Sequence, residues 1–200
     1  VARAVVPTGF SEIDRFLPGG GWPVGAMTEV FLGRYGIGEL SLLMPAMAAL
    51  TSPERARKWV AWIAPPFVPY APALRQHGVD IDRLLMIHPT PGRQDRCWAV
   101  EQVVRSGSSV GVLAWLAAAE NVALRRLQLA AELTECWLVL FRPESASLER
   151  SPAALRFKLT KSAAAARLDV IKCRGGRPGV IDVASFDRRS SGPKVEPAVE

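Results

Sequence analysis

The stretch VFLGRYGIGELSLL, residues 30–43, decides the fold assignment. It joins a short apolar run to a glycine-rich turn and then to a leucine-rich segment with helical spacing. Gly33 and Gly38 have the separation found in the phosphate-binding loop G-x-x-x-x-G-K-[ST], which lies between a strand and a helix. The lysine position of that motif holds Glu39, however, and the serine or threonine position holds Leu40. The sequence therefore predicts the scaffold of a nucleotide-binding loop without its chemistry.

The substitutions in this loop argue against a bound nucleotide. A carboxylate within ~4 Å of a phosphate charge is repelled by on the order of several kcal/mol at an intermediate dielectric constant. A leucine side chain cannot bind a metal ion. Glu39 suits an empty loop, because an acidic group in the first turn of a helix interacts favourably with the helix dipole. We therefore expect no catalytic residue, metal or cofactor at the degenerate loop, whose residues are Gly33, Gly36, Gly38, Glu39 and Leu40.

Strands and helices are predicted to alternate on both sides of this loop. The expected strands cover residues 27–32, 59–64, 84–87, 110–116 and 136–141, and the expected helices cover residues 39–50, 70–77, 93–105 and 121–135. Pro45 should kink or shorten the first of these helices. Because the strands are almost continuously apolar, they predict a parallel sheet covered on both faces, and hence an α/β fold.

The last quarter of the chain has a different pattern. Residues 154–160, 166–173 and 179–185 alternate apolar and polar side chains, which predicts antiparallel strands at the C-terminal end. Residues 186–200 contain almost no large apolar side chain. We therefore predict one domain over residues 1–185 and a flexible polar tail over residues 186–200.

Composition narrows the class of protein. No apolar run in the 200 residues is long enough to predict a membrane span. The absence of a basic segment followed by an apolar one at the start favours a cytoplasmic location. Cys97, Cys136 and Cys173 are widely spaced, and with only two histidines in the chain they predict neither a disulfide framework nor a zinc site.

Positive charge is concentrated late in the sequence. Residues 150–179 contain eight basic side chains against Asp169 alone, a local net charge of +7, whereas the whole chain carries +6. Such a segment predicts a face that binds DNA or an acidic partner, with a solvated strand surface as the alternative. The candidate residues are Arg156, Lys158, Lys161, Arg167, Lys172, Arg174 and Arg177.

The six tryptophans allow a further prediction about packing. Trp22 lies in a turn beside Pro23, and it is expected either to wedge under the glycine loop or to anchor a partner. The other tryptophans fall on expected strands or helix core faces, so core packing is the expectation for Trp59, Trp62, Trp98, Trp115 and Trp137.

Residues 7–40, PTGFSEIDRFLPGGGWPVGAMTEVFLGRYGIGEL, resemble the opening of the RecA core, where a T-G-x-x-x-L-D helix and a G-G-x-P-x-G turn precede the strand and phosphate loop. The matching residues are Thr8, Gly9, Asp14, Gly20, Gly21, Pro23, Gly25 and Glu29. The substituted loop and the stretches IAPPFVPYAPAL, VLAWL, SPAALRFKL and KCRGG resemble the narrower ImuA family of RecA-like, SulA-like proteins. The resemblance implies a RecA-like core over nearly the whole predicted domain.

Residues that carry catalysis in RecA are replaced here. The strand that should end with a catalytic glutamate ends Ile63-Ala64-Pro65-Pro66. The aspartate associated with the metal ion aligns with Ala114 or Trp115. The polar sensor aligns with Phe141 or Arg142. The resemblance therefore implies a protein without catalytic activity.

The same resemblance implies a role in the SOS response. ImuA proteins are accessory factors of a mutagenesis cassette in DNA-damage translesion synthesis. The implied partners are the inactive Y-family polymerase homologue ImuB, an error-prone C-family polymerase and RecA, with single-stranded DNA as a further candidate and the nucleoid as the site of action when DNA is damaged. Two alternatives stay open: a SulA-type inhibitor that binds the tubulin-like cell-division protein, and a nucleotide-binding RecA-like ATPase.

Overall fold

The computed structural model describes residues 4–53, 58–89, 93–162 and 165–183. Its strands are β1 (Val5–Val6), β2 (Trp22–Pro23), β3 (Ala26–Leu32), β4 (Trp59–Ile63), β5 (Leu84–Ile87), β6 (Ser109–Trp115), β7 (Trp137–Pro143), β8 (Leu155–Lys161), β9 (Ala166–Cys173) and β10 (Gly179–Val183). Its α-helices are α1 (Ser11–Phe16), α2 (Glu39–Thr51), α3 (Ala71–Gln76), α4 (Arg93–Arg105) and α5 (Asn121–Thr134), and short 3-10 helices span Ile81–Arg83 and Glu144–Leu148. The predicted alternation of strands and helices is confirmed.

Eight of the strands form one sheet in the order β10-β9-β8-β3-β7-β6-β4-β5. The six strands from β8 to β5 run parallel, β9 is antiparallel to β8, and β10 is antiparallel to β9. The α/β class, the mostly parallel sheet flanked by helices and the antiparallel strands at the C-terminal end are thus confirmed. The separate pair β1 and β2 is antiparallel.

β8 departs from the antiparallel prediction on one side, because it pairs parallel with β3 as well as antiparallel with β9. Its alternation of polar and apolar residues suggested one solvated face. The polar residue Arg156 is instead buried, since the 3-10 helix Glu144–Leu148 covers that part of the sheet. The first residues of β8, 155–157, are therefore buried on both faces of the sheet.

Two apolar layers enclose the sheet. The face here called the α2 face packs against α1, α2 and α3 through residues such as Ile13, Leu43 and Leu74. The opposite face, the α5 face, packs against α4 and α5 through residues such as Val104 and Leu127. Helices on both faces explain why the parallel strands are apolar on both sides.

α2 continues past Pro45 to Thr51, so the proline does not shorten this helix. The chain accommodates the proline ring against Gly9, whose φ is +82°. A Cβ atom at Gly9 would lie 2.5 Å from Cβ of Pro45. The glycine of the T-G dipeptide therefore permits close packing between the segment before α1 and the middle of α2.

The tryptophans divide between core and surface. Trp62, Trp115 and Trp137 are buried as predicted, whereas Trp59 and Trp98 are 42% and 62% exposed, so the core prediction is wrong for these two. Trp22 is 1% exposed and stacks on Phe157 with ring centroids 5.9 Å apart. Its burial excludes the role of an exposed anchor. The predicted tail, residues 186–200, lies outside the described residues.

Candidate functional site

The glycine loop, residues 33–38, connects the end of β3 to the start of α2. It lies at the carboxyl edge of the parallel strands, where ligands of open α/β sheets bind. Gly36 and Gly38 have φ values of +80° and +102°, a region that favours glycine. These two residues turn the backbone so that N–H groups converge just before the helix.

Glu39 fills the place that this turn creates. Its Oε1 accepts a hydrogen bond of 2.8 Å from the backbone N–H of Gly36, and its Oε2 accepts one of 2.9 Å from the N–H of Ile37. The side chain belongs to the first turn of α2 and is only 5% exposed. Convergent backbone N–H groups at a helix N-terminus form an anion site. In this protein the anion is a carboxylate of the chain itself.

Leu40, at the hydroxyl position of the motif, is partly buried and packs against the α2-face core. It offers no oxygen to a cation. Among the described residues, moreover, no group of three or more His, Cys, Asp or Glu side chains could hold a metal ion. The residues at the loop therefore do not fit a nucleotide with its divalent cation.

Aromatic rings occupy the neighbouring strand ends on the α2 face. Trp62 of β4 lies 5.5 Å from Trp115 of β6, and Trp115 stacks on Phe141 of β7 at 4.7 Å between ring centroids. All three rings are almost fully buried. Ala64, directly after β4, has a positive φ of 53° and carries no carboxylate. These strand ends therefore carry packed aromatic rings, and they carry no carboxylate that could polarise water.

An exposed aromatic contact lies above the loop. Tyr35 of the glycine loop meets Phe67, from the segment after β4, edge to face with 6.5 Å between ring centroids. Phe67 and the neighbouring Tyr70 are both strongly exposed. The glycine loop is therefore bordered by an apolar rather than a polar surface on this side.

The sequence did not indicate how Glu29 is used. This carboxylate on the central strand β3 is fully buried between two guanidinium groups: its Oε1 lies 2.8 Å from Arg142 Nη1, and its Oε2 lies 2.7 Å from Arg156 Nε. Arg142 Nη2 also contacts Glu149 Oε2 at 2.7 Å. Burial lowers the pKa of Arg142, but hydrogen bonds to Glu29 and Glu149 outweigh it and raise the pKa above its ordinary value. The sequence signal for this role was a single charged residue, Glu29, in a strand whose other residues are apolar except for Thr28.

Arg156 is accordingly not part of a basic face, because it is 6% exposed, pairs with Glu29 and covers the ring of Phe31 at 5.0 Å. Its placement on a DNA-binding or acidic-partner face is therefore wrong. The Nη2 of Arg156 donates to the carbonyl of Ala146 in the 3-10 helix. This arginine thus fastens the helix to the sheet.

Most of the remaining predicted basic residues contact other groups of the chain. Lys158 lies 3.4 Å from Glu144, Arg167 3.5 Å from Asp182, and Arg174 3.1 Å from Glu132. Lys172 donates to the carbonyl of Ser151, and its pKa is lowered by burial and then by Arg174 and Arg156. Lys161 and Arg177 are exposed. Three of the seven charges are therefore offset by a carboxylate at the surface.

A cavity of about 420 Å³ lies at the opposite, amino-terminal edge of the parallel strands. Leu17, Pro18, Leu155 and Cys173 contribute to its walls, and burial raises the pKa of the Cys173 thiol. Arg174 also lines it, but its guanidinium is held by Glu132 and by the carbonyl of Pro152. The cavity is thus separated from the glycine loop and has no unpaired cation among these residues.

No protein-family model matches this chain, and the curated proteins contain no match either. Within the described residues, no helix combines the length and the apolar character needed to cross a membrane.

Proposed function

We propose that this chain is a non-catalytic RecA-like accessory protein of an SOS-induced mutagenesis cassette. In this role it acts in DNA-damage translesion synthesis by binding other proteins. Its partners are an ImuB-like polymerase homologue, an error-prone C-family polymerase and RecA, with single-stranded DNA as a further candidate. The setting is the cytoplasm, at the nucleoid when DNA is damaged.

One observation carries the non-catalytic part of this proposal: the Glu39 carboxylate is bound to the N–H groups of Gly36 and Ile37. A nucleotide would have to displace it and would meet its negative charge. Hydrogen bonds to a charged group contribute about 1.5–3 kcal/mol each, so losing two costs about 3–6 kcal/mol. That loss corresponds to roughly 10²–10⁴-fold weaker phosphate binding.

The fold supports the RecA-like part of the proposal. A glycine loop follows the central strand β3 and opens α2, as the resemblance of residues 7–40 implies. The aromatic stack of Trp62, Trp115 and Phe141 fills strand ends near which the resemblance would require polar groups. A scaffold retained without its catalytic groups is suited to binding proteins through its surface.

Calorimetry with ATP and magnesium tests whether Glu39 keeps a nucleotide out of the loop. We expect the native chain to show no binding at about 1 mM ATP, which means that its Kd for ATP is weaker than about 1 mM. Glu39→Lys should gain weak binding without hydrolysis, because Leu40 still cannot bind magnesium. Glu39→Gln is the matched control that removes the charge while keeping the shape of the side chain. High affinity in the native chain would contradict the proposal.

Association assays test the partner role. Immobilised chain is expected to retain the purified ImuB-like homologue or RecA, and deletion of its gene should lower damage-induced mutation frequency. Failure to retain either protein would count against the proposal. Cell filamentation on overexpression, with mutation frequency unchanged, would instead indicate the division-inhibitor alternative.

A further inference from the structure

Helix α5 carries an apolar stripe that the fold leaves exposed. Its inner side packs through residues such as Leu124 and Leu127, whereas Val122, Leu129 and Leu133 are 65%, 63% and 84% exposed. At about 100° per residue, Leu129 and Leu133 point within about 20° of the direction of Val122. The stripe is roughly 16 Å long, since each residue of a helix rises about 1.5 Å. Its length matches about three turns of a helix lying alongside.

Helix α4 extends this stripe sideways. Trp98 of α4 is 62% exposed. Glu101, about one turn later in α4, bonds Arg126 of α5 at 3.1 Å, and Val122 lies about one turn before Arg126. Both helices connect parallel strands of one sheet, so they run in the same direction and Trp98 lies level with Val122. An exposed aromatic beside aliphatic side chains is typical of a binding surface rather than of scattered surface residues.

Arginines border the stripe. Glu101 is shared by Arg105, at 3.0 Å, and by Arg126, so two guanidinium groups face one carboxylate. By the same helical geometry, Arg126 lies about 40° to one side of Val122 and Arg125 about 60° to the other. Arg125 is exposed and forms no ion pair in the described part of the chain. Glu132, about 80° from Val122 on the side of Arg125, is paired with Arg174 at 3.1 Å, so the border of the stripe is net positive.

We propose that this α4–α5 surface binds an amphipathic helix of a partner protein, with a leucine-rich face against the stripe and acidic residues along its edges. Its apolar centre is Trp98, Val122, Leu129 and Leu133, and its border is Arg105, Arg125 and Arg126. Helices of this kind dock by i, i+3, i+4 and i+7 anchors in an apolar groove. The proposal rests on the proposed function only in that the chain acts by binding proteins.

Nucleic acid fits this surface less well. Binding to single strands depends on aromatic side chains on which successive bases stack. Here the centre offers one indole and three aliphatic side chains. Aliphatic side chains at helical spacing complement another helix, and the arginines then select for carboxylates on it.

The test uses a fluorescein-labelled designed peptide of about 18 residues, long enough to form a helix, with leucines on one face and glutamates at its edges. A matched peptide has lysine in place of each glutamate, and another has the leucines distributed around the helix. Fluorescence anisotropy with the full chain should give a Kd below about 100 µM for the acidic peptide alone. Its affinity should fall with added salt.

Variants of the chain locate the site. Leu129→Gln combined with Leu133→Gln keeps helix propensity and should weaken binding at least about tenfold. Arg125→Glu should weaken the acidic peptide and strengthen the lysine peptide. Val68→Gln, at an exposed apolar residue after β4, is the control and should change nothing. Circular dichroism melting verifies that each variant is folded.

The inference would be overturned if the acidic and lysine peptides bound equally, or if the acidic peptide did not bind at about 100 µM. It would also be overturned if the Leu129→Gln, Leu133→Gln variant bound the acidic peptide as well as the native chain does. A native chain that self-associates, and that this double variant converts to monomers, would overturn it as well. Poly-thymidine binding lost in the double variant would reassign the surface to nucleic acid and would overturn it too. ATP calorimetry on the same preparation separates the two proposals, because ATP binding would contradict the proposed function and leave the peptide result standing.

Discussion

Replacing Glu29 with glutamine removes the only negative charge that lies between the two buried guanidinium groups of Arg142 and Arg156 in the described network. The carboxylate oxygens lie 2.8 and 2.7 Å from these groups, and the carboxylate is fully buried. Removing one partner of a buried ion pair costs about 3–5 kcal/mol, because the remaining charge stays unsolvated. For a domain of this size that loss lowers Tm by roughly 6–20 °C.

Urea unfolding of the wild type and Glu29→Gln, followed by tryptophan fluorescence, measures the difference in the free energy of unfolding. Glu149→Gln is the matched control. Glu149 contacts the same Arg142 at 2.7 Å, but its side chain is 55% exposed. Arg142 keeps its bond to the buried Glu29 in this variant, so the control should lose less than Glu29→Gln. A loss below about 1 kcal/mol for Glu29→Gln would refute the reasoning, since it would mean that the buried charges are hydrated or mobile.

Three further predictions concern packing and pH. Gly9→Ala should destabilise the chain by about 1–3 kcal/mol more than Gly20→Ala in urea unfolding, because both have positive φ but only Gly9 meets Pro45; equal losses would contradict the close packing. Phe157→Ala should cost about 3–5 kcal/mol and change the emission of Trp22, whose ring it contacts; unchanged emission would argue against the stack. Burial raises the pKa of Cys136 from 9.0 to about 12, so the unfolded chain loses this proton first as pH rises above 9. The free energy of unfolding should thus fall by about 1.4 kcal/mol between pH 8 and 10 relative to Cys136→Ala, and a pH profile identical to that of Cys136→Ala would contradict the buried thiol.

Local patterns were sufficient to predict the elements of the sheet. Apolar runs with glycine or proline at their ends located β3 to β7, and helical spacing located α2, α4 and α5. These patterns arise because a strand buried on both faces and a helix buried on one face impose different periods on the sequence. The consequence of Glu39 was predicted only in part. The sequence shows the charge of Glu39. It does not show the bonds to Gly36 and Ile37, because they depend on the positive φ of Gly36 and Gly38.

Charge partners were not predictable, because they are distant in the sequence. Arg142 and Arg156 are 113 and 127 residues from Glu29. The net charge of residues 150–179 includes Arg156 and Lys161 equally. Arg156 is buried in an ion network, however, whereas Lys161 is exposed. Local alternation places a side chain on one face of a strand. It does not show whether another part of the chain, here Glu144–Leu148, covers that face.

The central position of β3 has a consequence for synthesis on the ribosome. Both of its neighbours, β7 and β8, are translated long after it, since β3 ends at Leu32 and β7 begins at Trp137. At roughly 5–20 residues per second, the intervening ~100 residues take on the order of 5–20 s to make. During that interval β3 has neither of the strands that pair with its two edges. The nascent chain is therefore expected to depend on chaperones until β7 and β8 have emerged.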